Sequence, residues 1–366
     1  MANNRFGSLF AFTTWGESHG KAVGVVIDGC PAGLALDEDL INRDLARRAP
    51  GSSPYVSPRR ETDRASILSG LFEGKTTGTP ISLIIDNGDV DSSKYAPIAD
   101  LLRPGHASFT YLAKYGLFDW RGGGRASARE TACRVAAGAV ARQLLAHYGV
   151  SVRAWLGAVG SSVAAELSPS ESRFDEAMMH VQASPLFAPD AAAQAAFAAE
   201  LDKAVAEGDS VGGVVNFAAT GLPAGLGDPV YGKLDALLAA AMLSIPASKG
   251  FEIGQGFSAA TQRGSAFTEG FTTINGMAVP AGNKAGGLLG GISTGLPVYG
   301  RVAFKPTASF FQPLPTVDSQ GQAAEFLLPQ GSRHDSCVAI RAVPVVEAMG
   351  MVVLADALLL HRASTL

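Results

Sequence analysis

The period of hydrophobic positions changes several times along the chain, and each change marks a predicted element. Phe10 and Phe12 lead into the polar segment Thr14–Gly20, after which Val23, Val25 and Ile27 alternate, so residues 5–29 read as strand, turn, strand. Asp37–Arg48 has helical spacing at Leu40, Ile41 and Leu45, placing Arg43, Arg47 and Arg48 toward one side, and Pro50 to Pro54 break it. Ile81–Ile85 predicts a buried strand. Helical spacing returns from Ser127 through Val135, Val140, Leu144 and Leu145 to about His147, with Ser127 and Glu130 spaced as a capping box. The alanine-rich stretch 185–207 predicts a lightly packed helix with Phe197, Leu201 and Val205 inward. Further on, 214–222 reads as strand, 234–243 as helix, 244–250 as loop, and 301–305 and 338–342 as strands. An apolar helix then opens at Pro344, because proline suits the first helical position. The alanine-rich middle reads as helix and linker inside one domain spanning 1–366.

The 366 residues carry 29 Lys and Arg against 33 Asp and Glu, a net charge of −4, so positive charge is a local matter. Arginines 43, 47, 48, 59, 60 and 64 cluster against Asp44, Glu61 and Asp63. This pattern suits a small, highly anionic ligand better than a nucleic acid, which calls for a basic face interleaved with aromatics and a steep salt dependence. Cys30, Cys133 and Cys337 are odd in number and far apart, which fits buried thiols in a reducing compartment. With no targeting segment and no apolar run of membrane-spanning length, a cytoplasmic protein is expected. Gly70–Thr76 imitates a nucleotide-binding P-loop but has three residues between its glycines where four are needed, so it is rejected as an ATP site.

The chemistry gathers around Arg121–Arg134. Three glycines, 122 to 124, allow close backbone approach, and arginines 121, 125, 129 and 134 surround a predicted helix N-terminus, an arrangement that favours phosphate. His19 and His106 each lie in a polar turn beside glycine, where an imidazole is placed for proton transfer. The glycine-rich run 285–295 reads as tight turns, and Lys305–Ser309 as a loop able to contact phosphate or flavin.

Four segments carry a family resemblance: Gly16-Glu17-Ser18-His19-Gly20, Arg103-Pro104-Gly105-His106, residues Gly122 to Thr131, and Arg333-His334-Asp335-Ser336-Cys337. In their order and approximate spacing they resemble the signature segments of the chorismate synthases, over nearly the full chain. The resemblance implies an α+β fold, a β-α-β sandwich with helices between antiparallel sheets, assembled as a homotetramer. It implies loss of phosphate from 5-enolpyruvylshikimate 3-phosphate to give chorismate, with reduced FMN required although no net redox change occurs. Carried over by position, Ser18, Arg48, Arg103, Arg129 and Arg333 hold the substrate. Arg125, Ala126, Ser127, Pro246, Ala247, Gly290, Lys305, Pro306, Thr307, Ala308, Ser309 and Arg333 lie along the FMN. His106 is expected as the acid near the leaving phosphate, His19 as the group that protonates or hydrogen-bonds the reduced flavin, and Asp335 as a residue that helps the flavin accept the ring proton lost from the substrate. No metal, nucleic acid or membrane enters this reading. Ala126 stands where family members often have serine, and Ala49 and Pro54 where they are often basic. An alternative, in which the same protein also reduces its flavin with NADPH, lacks a dinucleotide fingerprint; in the preferred reading NADPH is at most an indirect reductant.

Overall fold

The computed structural model describes residues 3–51, 53–57, 63–88, 93–329, 332 and 334–364. Alternating burial builds the first sheet. It uses β1 (Arg5–Phe6), β2 (Ala11–Gly16), β3 (Ala22–Asp28), β4 (Ala65–Ile67) and, beyond a small hairpin of β5 (Leu71–Phe72) and β6 (Lys75–Thr76), β7 (Ile81–Asp86). These pair antiparallel in the order β1-β2-β3-β7-β4, and the register sets Val25 against Leu83 and Ile27 against Ile81, all fully buried on one face. Helix α1 (Glu38–Arg48) leaves this sheet with Asp37 as its cap, the Asp37 carboxylate accepting the Asp39 N–H at 2.8 Å.

The second sheet comes from β8 (Ser151–Val159), β9 (Ser162–Val163), β10 (Gly213–Thr220), β11 (Ser248–Ile253) and β16 (Val298–Phe304), in the antiparallel order β11-β16-β10-β8-β9. Helices α2 (Ser108–Tyr115) and α3 (Thr131–His147) precede these strands, and α4 (Phe174–Ala183), α5 (Ala191–Ala206), α6 (Leu234–Leu243) and the short α7 (Gly264–Phe267) run between them. Three further hairpins follow: β12 (Phe271–Ile274) with β13 (Met277–Pro280), β14 (Leu288–Leu289) with β15 (Ile292–Ser293), and β17 (Leu314–Val317) with β18 (Ala323–Phe326). The chain then enters α8 (Val338–Ser364).

Helices α3 and α8 lie side by side between the sheets, α3 against β3 and α8 against β8 and β10. The result is an α+β sandwich with helices between antiparallel sheets. Small residues make the helix pair close: a Cβ on Gly138 would overlap both the side chain and the backbone of Ala348. Both helices are apolar nearly all round, as helices walled in on every side must be. One contiguous apolar cluster joins both sheets and the intervening helices.

Several expectations are corrected here. Val338–Ala342 is the first turn of α8, not a strand, and Pro344 sits inside that helix. In a fully buried helix the apolar residues carry no 3.6 period, so alternation at 338, 340 and 342 fits either element. By length and composition α8 could cross a membrane, contrary to the sequence expectation, but 89% of its most apolar window is buried inside this fold. Val205 is 54% exposed rather than inward. Ser248–Ile253 joins the second sheet as β11 although its start reads as loop, and Thr14–Gly16 belongs to β2. Arg43 is exposed while Arg47 and Arg48 turn inward to different partners, so the three do not share a side. Gly70–Thr76 folds as the β5–β6 hairpin, consistent with its rejection as an ATP site.

The far end of α8 is anchored by one carboxylate. Asp356 accepts the backbone N–H groups of Ser8, Leu9 and Phe10 at 2.8, 2.7 and 2.9 Å, fixing the turn between β1 and β2. Removing it leaves three donors in part-buried surroundings, so Asp356→Ala is expected to destabilise by about 2–4 kcal/mol, at about 1–3 kcal/mol per orphaned group with partial hydration. Urea unfolding with an unchanged slope and a lower midpoint measures this.

Candidate active site

A cavity of about 630 Å³ opens where the N-termini of α3 and α8 converge. Its size is in the range of small-molecule sites, roughly 300–1,000 Å³. The chain reaches α3 through Gly122, Gly123 and Gly124, all at positive φ (63°, 93° and 54°), a conformation that glycine adopts without strain. A Cβ on Gly122 would overlap the His19 ring. Two 3₁₀ turns, Gly124–Ala126 and Ala128–Glu130, then precede α3. Ser127 therefore caps the second turn, accepting from the Arg129 N–H at 3.3 Å, and not the long helix. The expected capping box does not form, because Glu130 accepts from the Thr14 hydroxyl at 2.9 Å and from Arg134 Nε at 2.9 Å.

One wall is cationic. Arg48 and Arg129, both buried, share the buried carboxylate of Asp63. Arg48 also donates to the Thr131 hydroxyl at 3.2 Å and the Ala128 carbonyl at 3.3 Å, and Arg129 donates to the Asn87 side chain at 2.8 Å. Burial pushes Arg48 down to about 10, which leaves it cationic at neutral pH. Burial alone would raise the Asp63 carboxyl, but Arg48 and Arg129 outweigh it and hold Asp63 below the usual carboxylate range. Arg103 donates to the Ser309 hydroxyl at 3.2 Å and keeps its buried Nε without a partner among the described residues. Lys305 reaches the Gly105 carbonyl at 3.3 Å, beside His106.

Asp335 stands at the start of α8, held from two sides. Its carboxylate accepts the Ser57 N–H at 2.8 Å and an Arg341 N–H at 3.2 Å, and its carbonyl accepts the Thr307 hydroxyl at 3.0 Å. Arg341 also donates to the Arg48 carbonyl at 3.0 Å, tying the two walls together. Val338, Ala342 and Val345 give α8 an apolar stripe facing the cavity, continued by Ile245, Pro246 and Ala247. A cationic wall facing an apolar one can take a ligand that is flat on one side and anionic on the other.

Of the sequence-predicted residues, Arg48, Arg103, His106, Arg125, Ala126, Ser127, Arg129, Pro246, Ala247, Lys305, Thr307, Ala308, Ser309 and Asp335 line this cavity together. Ser18 and His19 are buried behind Gly122, with Ser18 Oγ 3.1 Å from His19 Nδ1 and Tyr95 packed edge-on to the imidazole. Pro306 lies between two lining residues. Gly290 is exposed at the tip of the β14–β15 hairpin, away from the cavity. Arg333, Arg59 and Arg60 lie outside the described residues. Arg121 turns to Asp119 at the surface and does not join the cluster. Sequence reasoning missed Tyr111 and Arg341 as lining residues and Asp63 as the shared counterion. Its one signal was that Asp63 interrupts an arginine run.

The chorismate synthase family model matches residues 10–359. The chain is 54% identical over 363 residues to a chorismate synthase of Protochlamydia amoebophila and 52% identical over 362 residues to one of Novosphingobium aromaticivorans, each match covering 99% of both chains. A chorismate synthase of Archaeoglobus fulgidus is 51% identical over 358 residues, 98% of each chain. Among solved structures, a crystal structure of a chorismate synthase superposes with a TM-score of 0.76 at 33% identity, covering 96% of this chain and 92% of that one. These names support lyase chemistry and lend none to a second flavin-reductase activity.

Proposed function

The chain belongs to the chorismate synthase family, and on that premise we propose that this cavity carries out the 1,4-elimination of phosphate from 5-enolpyruvylshikimate 3-phosphate. The observation that carries the reading is the convergence of Arg48, Arg103, Arg129 and Lys305 on one wall of a cavity whose other wall is apolar. A substrate with two carboxylates and a phosphate matches the first wall, since guanidinium geometry suits both groups. The partnerless Nε of buried Arg103 fits an anionic ligand in particular.

The apolar wall fits a flat ring. Reduced FMN, when bound, supplies the electrons that make departure of phosphate and loss of the ring proton feasible without net redox change. Arg125, Ser127, Pro246, Ala247 and Lys305–Ser309 are the residues that would hold it. Ala126 offers no side-chain hydrogen bond, and its N–H is engaged with the Gly123 carbonyl at 2.9 Å. His106 stands at the phosphate end beside Arg103 and Lys305. Asp335 stands at the start of α8, its carboxylate fixed by Ser57 and Arg341 and its carbonyl met by the Thr307 hydroxyl, and so oriented to assist loss of the ring proton. His19, behind Gly122, supports the glycine turn and does not itself line the cavity.

In this reading the chain is one domain acting as a cytoplasmic homotetramer, and exposed Phe271, Ile274 and Met277 on the β12–β13 hairpin offer apolar surface for assembly. The test is release of phosphate and chorismate without oxygen. Activity is expected with chemically reduced FMN and not with oxidised FMN plus NADPH. Activity in both would restore the bifunctional alternative, and activity in neither, with folded protein, would overturn the assignment.

A further inference from the structure

We propose that Asn87 is a positioning residue for the cationic wall, its side-chain amide fixing the direction in which buried Arg129 presents its guanidinium to the cavity. The proposal rests on the elimination reading above and deepens it by naming what aims one of the cations expected to hold the substrate.

The first sheet places Asn87, and the turn beside it orients the amide. Asn87 follows β7 directly, and its N–H donates to the Lys21 carbonyl at 3.1 Å, one step beyond the Ala22–Asp86 pair that ends the β3–β7 register. From that fixed backbone, Nδ2 donates to the Gly20 carbonyl at 2.8 Å and to the Glu17 carbonyl at 3.0 Å, the two ends of the turn that carries Ser18 and His19. Oδ1 accepts Arg129 Nε–H at 2.8 Å. Reversing the amide would set its oxygen against two carbonyls and its NH₂ against a guanidinium N–H, so one orientation satisfies all three contacts.

Asp63 neutralises Arg129 but does not by itself aim it. The carboxylate meets one terminal nitrogen, the Asp86 carbonyl accepts from the other at 2.9 Å, and Asn87 takes Nε, where the flexible stem joins the planar head. A guanidinium is rigid, so contacts at all three nitrogens set both its plane and its tilt. Two of the three come from adjacent residues at the end of β7. Arg48, the other cation on Asp63, takes its directing contacts from Thr131 and the Ala128 carbonyl instead. Loss of the Asn87 amide therefore falls on Arg129. The turn keeps its own closing bond, Gly20 N–H to the Glu17 carbonyl at 3.0 Å, and its tie from Ser18 N–H to the Gly124 carbonyl at 3.4 Å.

The test is a double-mutant cycle on binding of 5-enolpyruvylshikimate 3-phosphate, measured by calorimetry on protein loaded with oxidised FMN. Asn87→Ala is expected to weaken substrate binding about 10-fold, with FMN affinity and kcat on reduced FMN held within about 3-fold. Arg129→Lys keeps a cation for Asp63 but has no Nε–H to be aimed. In that background Asn87→Ala should change substrate affinity by less than about 2-fold. The same loss in both backgrounds, no loss in either, or FMN affinity falling in step with substrate affinity would each overturn the proposal. A fall in kcat with substrate affinity kept would also overturn it, by assigning Asn87 to the turn that carries His19. Should the Ala variant fail to fold, Asn87→Ser takes its place in the cycle, since a hydroxyl can still meet a turn carbonyl but is one bond too short for Arg129. Failure of both to fold would give Asn87 to the fold and not to Arg129. A parent protein that binds no substrate would count against the elimination reading itself. Urea midpoints of the same four proteins would then decide the proposal, non-additive shifts upholding the Asn87–Arg129 contact and additive ones overturning it.

Discussion

Replacing Asp63 with alanine is expected to cost about 3–5 kcal/mol of stability, because it strips the shared counterion from two buried guanidiniums. Arg48 and Arg129 line the cavity, so substrate affinity should fall in the same variant as their spacing is lost. Acid titration gives the sign. Asp63 and Glu347, the latter buried between Arg47 and Arg142, both have depressed carboxyls in the fold. Their contribution is present above the ordinary carboxylate range, about pH 4, and is lost as pH falls through the folded values. The parent protein should therefore lose stability more steeply than Asp63→Ala below about pH 4. Equal urea midpoints for the two proteins at pH 7 would show that the guanidiniums find other partners.

Asp335→Ala should lower kcat by about 10²–10⁴ with KM for the phosphate substrate held within a few-fold, since in the proposed reading the carboxylate assists loss of the ring proton and the arginine wall does the binding. Asp335→Asn separates charge from shape. Its amide oxygen can still accept from Ser57 N–H, while its NH₂ meets Arg341 in place of a carboxylate oxygen. Asn as impaired as Ala places the effect on charge; a rise in KM with kcat unchanged would reassign Asp335 to binding.

Much of the cavity was legible in the sequence where function is written locally. Arg103 and His106, and Arg125 through Arg129, sit in short segments bounded by glycine or proline, and the backbone turns those segments make set their positions. Asp63 and Arg341 were not legible in this way. Asp63 meets Arg129 across 66 positions, a juxtaposition that only the closing of the first sheet on α3 creates. Arg341 lay in a stretch read as strand; as helix, its place one turn into α8 brings it to Asp335. The α and β mixture and most element cores could be read from period alone. Topology came from the family resemblance, because periodicity does not say which strands pair.

Helix α8 also bears on how the molecule is made. At about 1.5 Å per residue it is about 40 Å long, with its first turn in the cavity and Asp356 holding the β1–β2 turn. It shares the space between both sheets with α3, yet in chain order it follows every strand of both of them. Until α8 is made, the second sheet lacks the packing that α8 gives β8 and β10, and the β1–β2 turn lacks the Asp356 carboxylate. The core therefore closes only once α8 has joined the strands, and a chain stalled or shortened before α8 exposes apolar surface that favours aggregation.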